Sequence, residues 1–184
     1  SLANLAGMVV ILVLSTFIVK LSAKVGKKEL SVIGSIISAA AFLILFFIHT
    51  DNVWVWIVLV LISSVGTAMF NMVIWAMITD VIDESEVQTG VRQDGTIYSV
   101  YSFARKLGQA CSSGLSGILL SIIGYSSVTA FDPKVVDGIY NITCLVPAGG
   151  MILLLLALWF LYPLNKKRVE ENAEKLRIKR NENA

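Results

Sequence analysis

Apolar residues in this chain come in long unbroken blocks, not in the alternating or one-faced patterns of soluble strands and helices. Five stretches contain no Asp, Glu, Lys or Arg: Ser1–Val19, Leu30–Thr50, Asn52–Thr79, Leu107–Phe131 and Gly138–Asn165. A helix needs roughly 20 apolar residues to cross the hydrocarbon core of a bilayer. Each block meets or approaches that length. The pattern predicts an all-α membrane protein with five transmembrane helices, at Leu5–Leu21, Leu30–Ile48, Val53–Thr79, Thr96–Ile123 and Ile139–Leu164. Between them lie a basic turn around Gly26, the short link His49–Asn52, an acidic loop Asp80–Asp94 and the loop Gly124–Asp137. Residues 1–165 form the transmembrane bundle. Residues 166–184 form a basic tail that suits a surface helix with an unstructured end.

Composition sharpens this picture. The 184 residues are 56% hydrophobic and 15% charged, whereas a soluble domain carries about 25% charged residues. A soluble enzyme or nucleic-acid binder is excluded, and the lipid bilayer is the expected surrounding. Residues 1–165 hold 8 basic and 9 acidic residues, and the tail holds 7 and 4. Lys20, Lys24, Lys27, Lys28, Arg92 and the tail make up 12 of the 15 basic residues, and five spans put them all on one side. Basic flanks stay in the cytoplasm, so the expectation is a multi-pass protein of the cell membrane with a cytoplasmic C-terminus. The chain opens Ser-Leu-Ala-Asn, without Met or a basic n-region, which reads as a cut chain and not as a signal peptide. Cys111 and Cys144 fall inside spans and read as packing residues, and the sequon at Asn141 reads as chance.

The unusual span is the fourth. Arg105 and Lys106 lie about ten residues into it, roughly 15 Å along the helix. A cation near the bilayer centre costs about 2.5–3.5 kcal/mol on insertion scales. Ser99, Ser102, Lys106, Gln109 and Ser113 recur at helical intervals and form one polar stripe. Such a stripe should face water or another helix. Arg105 points about 100° away, toward a neighbouring helix or the interface. Small residues follow, from Gly108 to Gly117, and predict a central helix covered by protein. In the third span Thr67, Asn71 and Trp75 are four apart, so an amide and an indole share a face. That pairing suits a hydroxyl-rich ligand, although inter-helix hydrogen bonding by Asn71 and interface anchoring by Trp75 account better for each residue taken alone. The carboxylates of the acidic loop do not match the Asp-Gly pattern of membrane alcohol phosphotransferases, since Asp83 precedes Glu-Ser. No metal site or cofactor is expected. Asp80, Asp83 and Arg92, with Arg105, read as a gate of opposite charges at a cytoplasmic helix end.

The run Thr79-Asp80-Val-Ile-Asp83-Glu84-Ser-Glu86-Val-Gln-Thr89-Gly90-Val-Arg92-Gln-Asp94-Gly95-Thr-Ile-Tyr98-Ser99, followed by Phe103-Ala-Arg105-Lys106-Leu-Gly108-Gln-Ala110, resembles the glycoside–pentoside–hexuronide:cation symporters. These are melibiose permease-like members of the major facilitator superfamily. Gly26-Lys27-Lys28 and Tyr162-Pro163-Leu164 are similar to the family's loop between helices eight and nine and to its C-terminal end. The resemblance implies that the spans are helices eight to twelve of a twelve-helix transporter, a fragment lacking helix seven and the N-terminal half. It implies sugar:cation symport by alternating access, with a sugar, that N-terminal half and the bilayer as partners. The coupling cation, Na⁺ or H⁺, would find its main ligands in the other half. Lys106 falls where the family has an intramembrane lysine near sugar and cation, with Ser102 and Tyr101 one turn away. Lys106, Ser102, Tyr101, Gln109, Asn71 and Trp75 are therefore the candidate substrate-binding or coupling residues. The rival readings are a self-contained five-helix scaffold or channel subunit and, more weakly, a membrane enzyme using the acidic loop.

Overall fold

The computed structural model describes residues 17, 18 and 20–182. α1 is helical at 17, 18 and 20–25, and the predicted first span lies almost wholly outside the described residues. Five helices follow: α2 (Lys27–Ile48), α3 (Val53–Thr89), α4 (Asp94–Ile122), α5 (Pro133–Phe160) and α6 (Lys166–Glu182). No strand occurs among the described residues. Of these helices, α2, α3 and α5 are long and apolar enough to cross a membrane. α4 has the length, at 29 residues, but its serines, glycines and paired cations keep it below that apolar threshold. Five spans were expected, and three helices meet the criterion among the described residues.

Local chemistry sets the boundaries. α2 stops at His49, a left-handed residue (φ 46°) whose N–H returns to the Leu45 carbonyl. Asn52 then caps α3, its side chain accepting from the Trp54 N–H at 3.0 Å. The expected acidic loop is helical for most of its length, because α3 runs on to Thr89. No Gly or Pro interrupts residues 80–89, and Gln88 donates to Glu84 one turn back at 2.5 Å. Gly90 ends the helix at φ 77°, where a Cβ would be strained, and returns its N–H to Glu86. At 1.5 Å per residue the 37 residues of α3 extend roughly 55 Å. A hydrocarbon core is roughly 30 Å thick, so the charged turns after Thr79 stand outside it. The tail is helical through Glu182, longer than a frayed end would allow.

The packed part of the molecule is α2 against α3 and α5. Ser31, Gly34, Ser35 and Ser38 form one buried, small-residue face on α2. Gly34 meets Gly66 of α3 so closely that a Cβ on Gly34 would lie 2.5 Å from the Gly66 carbonyl oxygen. Lipid tails are as apolar as leucine, so helices in a membrane gain from close backbone approach and not from burial against water. The serine hydroxyls stay satisfied: Ser31 and Ser35 donate to carbonyls one turn back, and Ser38 meets Thr67 at 3.2 Å. Nearer the tail, Ile18, Leu30, Val73, Met77 and Leu158 form a buried cluster. At the opposite end Tyr140 of α5 donates to the Leu45 carbonyl at 2.8 Å, and His49 pairs with Asp137 at 2.9 Å.

α4 departs from expectation. It was expected to be central and covered by protein, yet none of its residues is buried. Gly108, Gly114 and Gly117 face nothing within 4 Å among the described residues. The small face is present, but no described helix lies against it. α4 touches the rest chiefly through α3.

Candidate functional site

The α3–α4 hairpin builds a cleft from aromatic contacts. Trp75 on α3 stacks with Tyr98 of α4 at 6.4 Å and meets Tyr101 edge-on at 5.4 Å. Tyr98, Tyr101 and Arg105 follow a three- and four-residue spacing, so one face of α4 covers the indole. The Arg105 guanidinium lies 5.6 Å from the Trp75 ring centre, a cation–π contact. Trp75, Tyr101 and Arg105, with Phe70, Asn71, Ile74 and Ala104, line an open cleft of about 650 Å³. Flat rings, one amide and one guanidinium suit a ligand with apolar ring faces and polar edges.

Of the candidate substrate residues, the cleft gathers Asn71, Trp75 and Tyr101. Thr67, expected on their face, turns to Ser38 of α2 instead. Ser102, Lys106 and Gln109 do not line the cleft. They are exposed on the adjoining stripe of α4, and Lys106 makes no ion pair or hydrogen bond among the described residues. Arg105, grouped with the gate by sequence, belongs geometrically to the cleft. Tyr98 was not singled out. Its place three residues before Tyr101 on the α4 face that meets Trp75 was the available signal.

The charged residues of the expected gate divide into three clusters at one end of the bundle. Asp80, buried on α3, binds Lys27 at the start of α2 at 2.5 Å and does not meet Arg92. Arg92 in the α3–α4 turn holds Asp83 and Glu86 at 2.9 Å each, and its Nε holds Asp94 at 2.9 Å. It thus ties the last turns of α3 to the first turn of α4. Hydrogen bonds to Asp83 first, then Glu86 and Asp94, raise the Arg92 pKa further above its ordinary value. Glu84 receives Arg168 and Asn172 of α6, with Arg168 Nε at 3.2 Å. Arg168 above all holds the Glu84 carboxyl below the usual range; partial burial opposes it. Arg180 reaches Glu86 at 3.4 Å. Sequence reasoning passed over the tail as a partner of α3, because nothing in spacing links residues 84 apart. Lys28 closes the same end by donating to the Tyr162 carbonyl at 2.6 Å. No cluster of three metal-ligating side chains is present among the described residues.

Residues 1–166 match the family model described as MFS/sugar transport protein. The chain is 35% identical over 149 residues to a glucuronide carrier protein homolog of Escherichia coli K12, covering 81% of this chain and 32% of that protein. It is 38% identical over 152 residues to the uncharacterized symporter YjmB of Bacillus subtilis 168, covering 83% and 33%. A second symporter of that organism, YnaJ, is 30% identical over 173 residues, covering 94% and 37%. The chain spans about a third of the length of these curated relatives. They are carriers and symporters, not enzymes.

Proposed function

The chain belongs to the MFS/sugar transport protein family, among the melibiose permease-like symporters, and from that premise we propose that it is the C-terminal part of a sugar:cation symporter working by alternating access. In this reading its helices are the last five spans, with α1 and α4 crossing the membrane beside the three strongly apolar helices. The sugar lies between this bundle and a second one, in contact with the α3–α4 cleft. Trp75 and Tyr101 present flat faces to the sugar ring, and Asn71 hydrogen-bonds its hydroxyls. Lys106, exposed on the next stripe of α4, pairs with a carboxylate of the second bundle or competes there with the coupling cation, Na⁺ or H⁺. The clusters around Lys27, Arg92 and Arg168 form the cytoplasmic end, and their making and breaking biases the inward- and outward-open states.

The observation that carries this reading is the pairing of an aromatic cleft with a lysine that makes no ion pair among the described residues, on a helix that none of the described helices buries. A helix bearing two cations and a small-residue face is not stable against lipid alone. A counterflow screen of labelled glycosides, pentosides and uronides with the complete transporter, under Na⁺ or H⁺ gradients, tests it. Accumulation of one sugar class driven by one gradient is expected. Failure to accumulate any of them under either gradient would overturn the reading.

A further inference from the structure

We propose that a second cleft, between α2 and α5 at the tail end of the bundle, seats a membrane phospholipid whose phosphate is held by Lys28. This site is separate from the α3–α4 cleft and does not depend on what that cleft binds.

The first turns of α2 and the end of α5 leave an open cleft of about 330 Å³, lined by Lys28, Glu29, Val32, Ile33, Trp159 and Asn165. Lys28 and Val32 are four apart on α2, so the charge sits one turn nearer the helix end than the apolar floor. The Lys28 ammonium donates to the Tyr162 carbonyl at 2.6 Å, which fixes it over the end of α5. An ammonium has three N–H donors. Lys27 pairs with Asp80, but Lys28 makes no ion pair among the described residues. Asn165 accepts the Arg168 N–H at 3.0 Å through Oδ1, and its amide N–H groups find no partner among the described residues. Glu29 does not answer Lys28. Its Oε1 accepts the Lys166 N–H at 3.4 Å, and its Oε2 is buried.

The surroundings select a lipid over a free anion. Ile33 and Ile36 of α2 are exposed, as are Trp159, Phe160 and Leu161 at the end of α5. On helices of membrane-spanning length this apolar surface faces acyl chains, and the cleft is continuous with it. A tryptophan and a lysine at the ends of two spans mark the level of the headgroups. A phosphodiester at that level meets the ammonium and the amide, and its chains run down over Val32, Ile33 and Trp159. Free phosphate would satisfy the charge and leave the apolar wall wet. A diacylglycerol would cover the wall and leave the ammonium without a counter-charge. A phospholipid answers both, as basic pockets between helices do at the membrane surface.

The test uses the complete transporter in detergent, free of other cysteines, with a fluorophore on Ile36→Cys at the rim of the cleft. It is titrated with phosphatidylglycerol carrying brominated, quenching chains and with diacylglycerol carrying the same chains. The phospholipid should quench at about fivefold lower concentration than the diacylglycerol. Lys28→Gln should bring the two curves together with the diacylglycerol curve unmoved, which also reports an intact cleft. Lys28→Arg keeps the charge and should keep the preference. A fluorophore on Phe47→Cys, exposed at the far end of α2, should be quenched equally by both lipids. Equal quenching at position 36, or an unchanged preference in Lys28→Gln, would overturn the proposal. Loss of both curves in Lys28→Gln and Lys28→Arg alike would assign Lys28 to packing against Tyr162 and overturn it as well. So would displacement of the phospholipid by inorganic phosphate at constant ionic strength, which would make this a site for a free anion.

Discussion

α2 and α4 are built from similar materials and meet opposite fates. Each carries a face of glycines and serines at helical spacing. On α2 the face is filled: Gly34 and Gly66 bring two backbones together, and Ser31, Ser35 and Ser38 are fully buried. On α4 the face is bare among the described residues: Gly108, Gly114 and Gly117 have open space, and the two cations beside them make no ion pair there. Small residues permit close approach; they do not specify the neighbour. The difference lies in what answers them, and among the described residues nothing covers the small face of α4.

Mutations at the two helices should separate these roles. The largest effect is expected at Lys106. In the complete transporter, Lys106→Ala should lower concentrative sugar uptake by about two orders of magnitude with insertion and expression retained, and Lys106→Arg should rescue poorly. Uptake assays alongside membrane quantitation check this; full accumulation by Lys106→Ala would reduce the residue to packing. Next comes the glycine pair. Gly66→Leu forces a side chain against the Gly34 backbone and should cost about 1–3 kcal/mol or more, read as lost expression and a lower melting temperature in detergent. Gly114→Leu, on the open face, should leave melting unchanged and impair transport. Equal melting of the two variants would erase the contrast between the helices.

Smaller effects belong to the charged end. Arg92→Ala removes the tie among Asp83, Glu86 and Asp94, so transport rate should change by about three- to tenfold with equilibrium sugar affinity nearly constant. Stopped-flow transport and equilibrium binding separate the two; unchanged rate and unchanged accessibility would contradict the gate. The smallest effect concerns the tail. Glu84 lies beyond the span, and Arg168 lowers its pKa from the ordinary 4.5. A lowered carboxylate pKa stabilises docking fully above the ordinary value, and that contribution disappears as pH falls through the lowered one. Spin labels at positions 87 and 175 should hold a constant separation at neutral pH and separate only in acid below pH 4.5, whereas Glu84→Gln should separate them at neutral pH.

Much of the helical layout was legible. The blocks free of charge located α2, α3 and α5 because membrane helices must be apolar over a fixed length. The His49–Asn52 link was read correctly for the same reason: charge and a cap residue mark its ends. The stretch 80–89 was misread because charge density was taken for a loop, although an exposed helix carries charges equally well once outside the membrane. The cleft was half legible. Asn71 and Trp75 share a face by spacing alone, but the contact of Trp75 with Tyr98, Tyr101 and Arg105 depends on how two helices turn toward each other. The three-way division of the charges was not legible, since Lys27–Asp80 and Glu84–Arg168 join residues 53 and 84 positions apart.

The central claim is that the α3–α4 cleft meets the sugar. It is tested most directly by substrate protection of a single cysteine at position 71 in an otherwise cysteine-free complete transporter. Alkylation of Asn71→Cys should be slowed by the transported sugar at concentrations that saturate uptake, while a cysteine at Ser116, on the same hairpin but away from the cleft, should react at a constant rate. Unchanged alkylation at position 71, in a variant that still binds the sugar, would contradict the account.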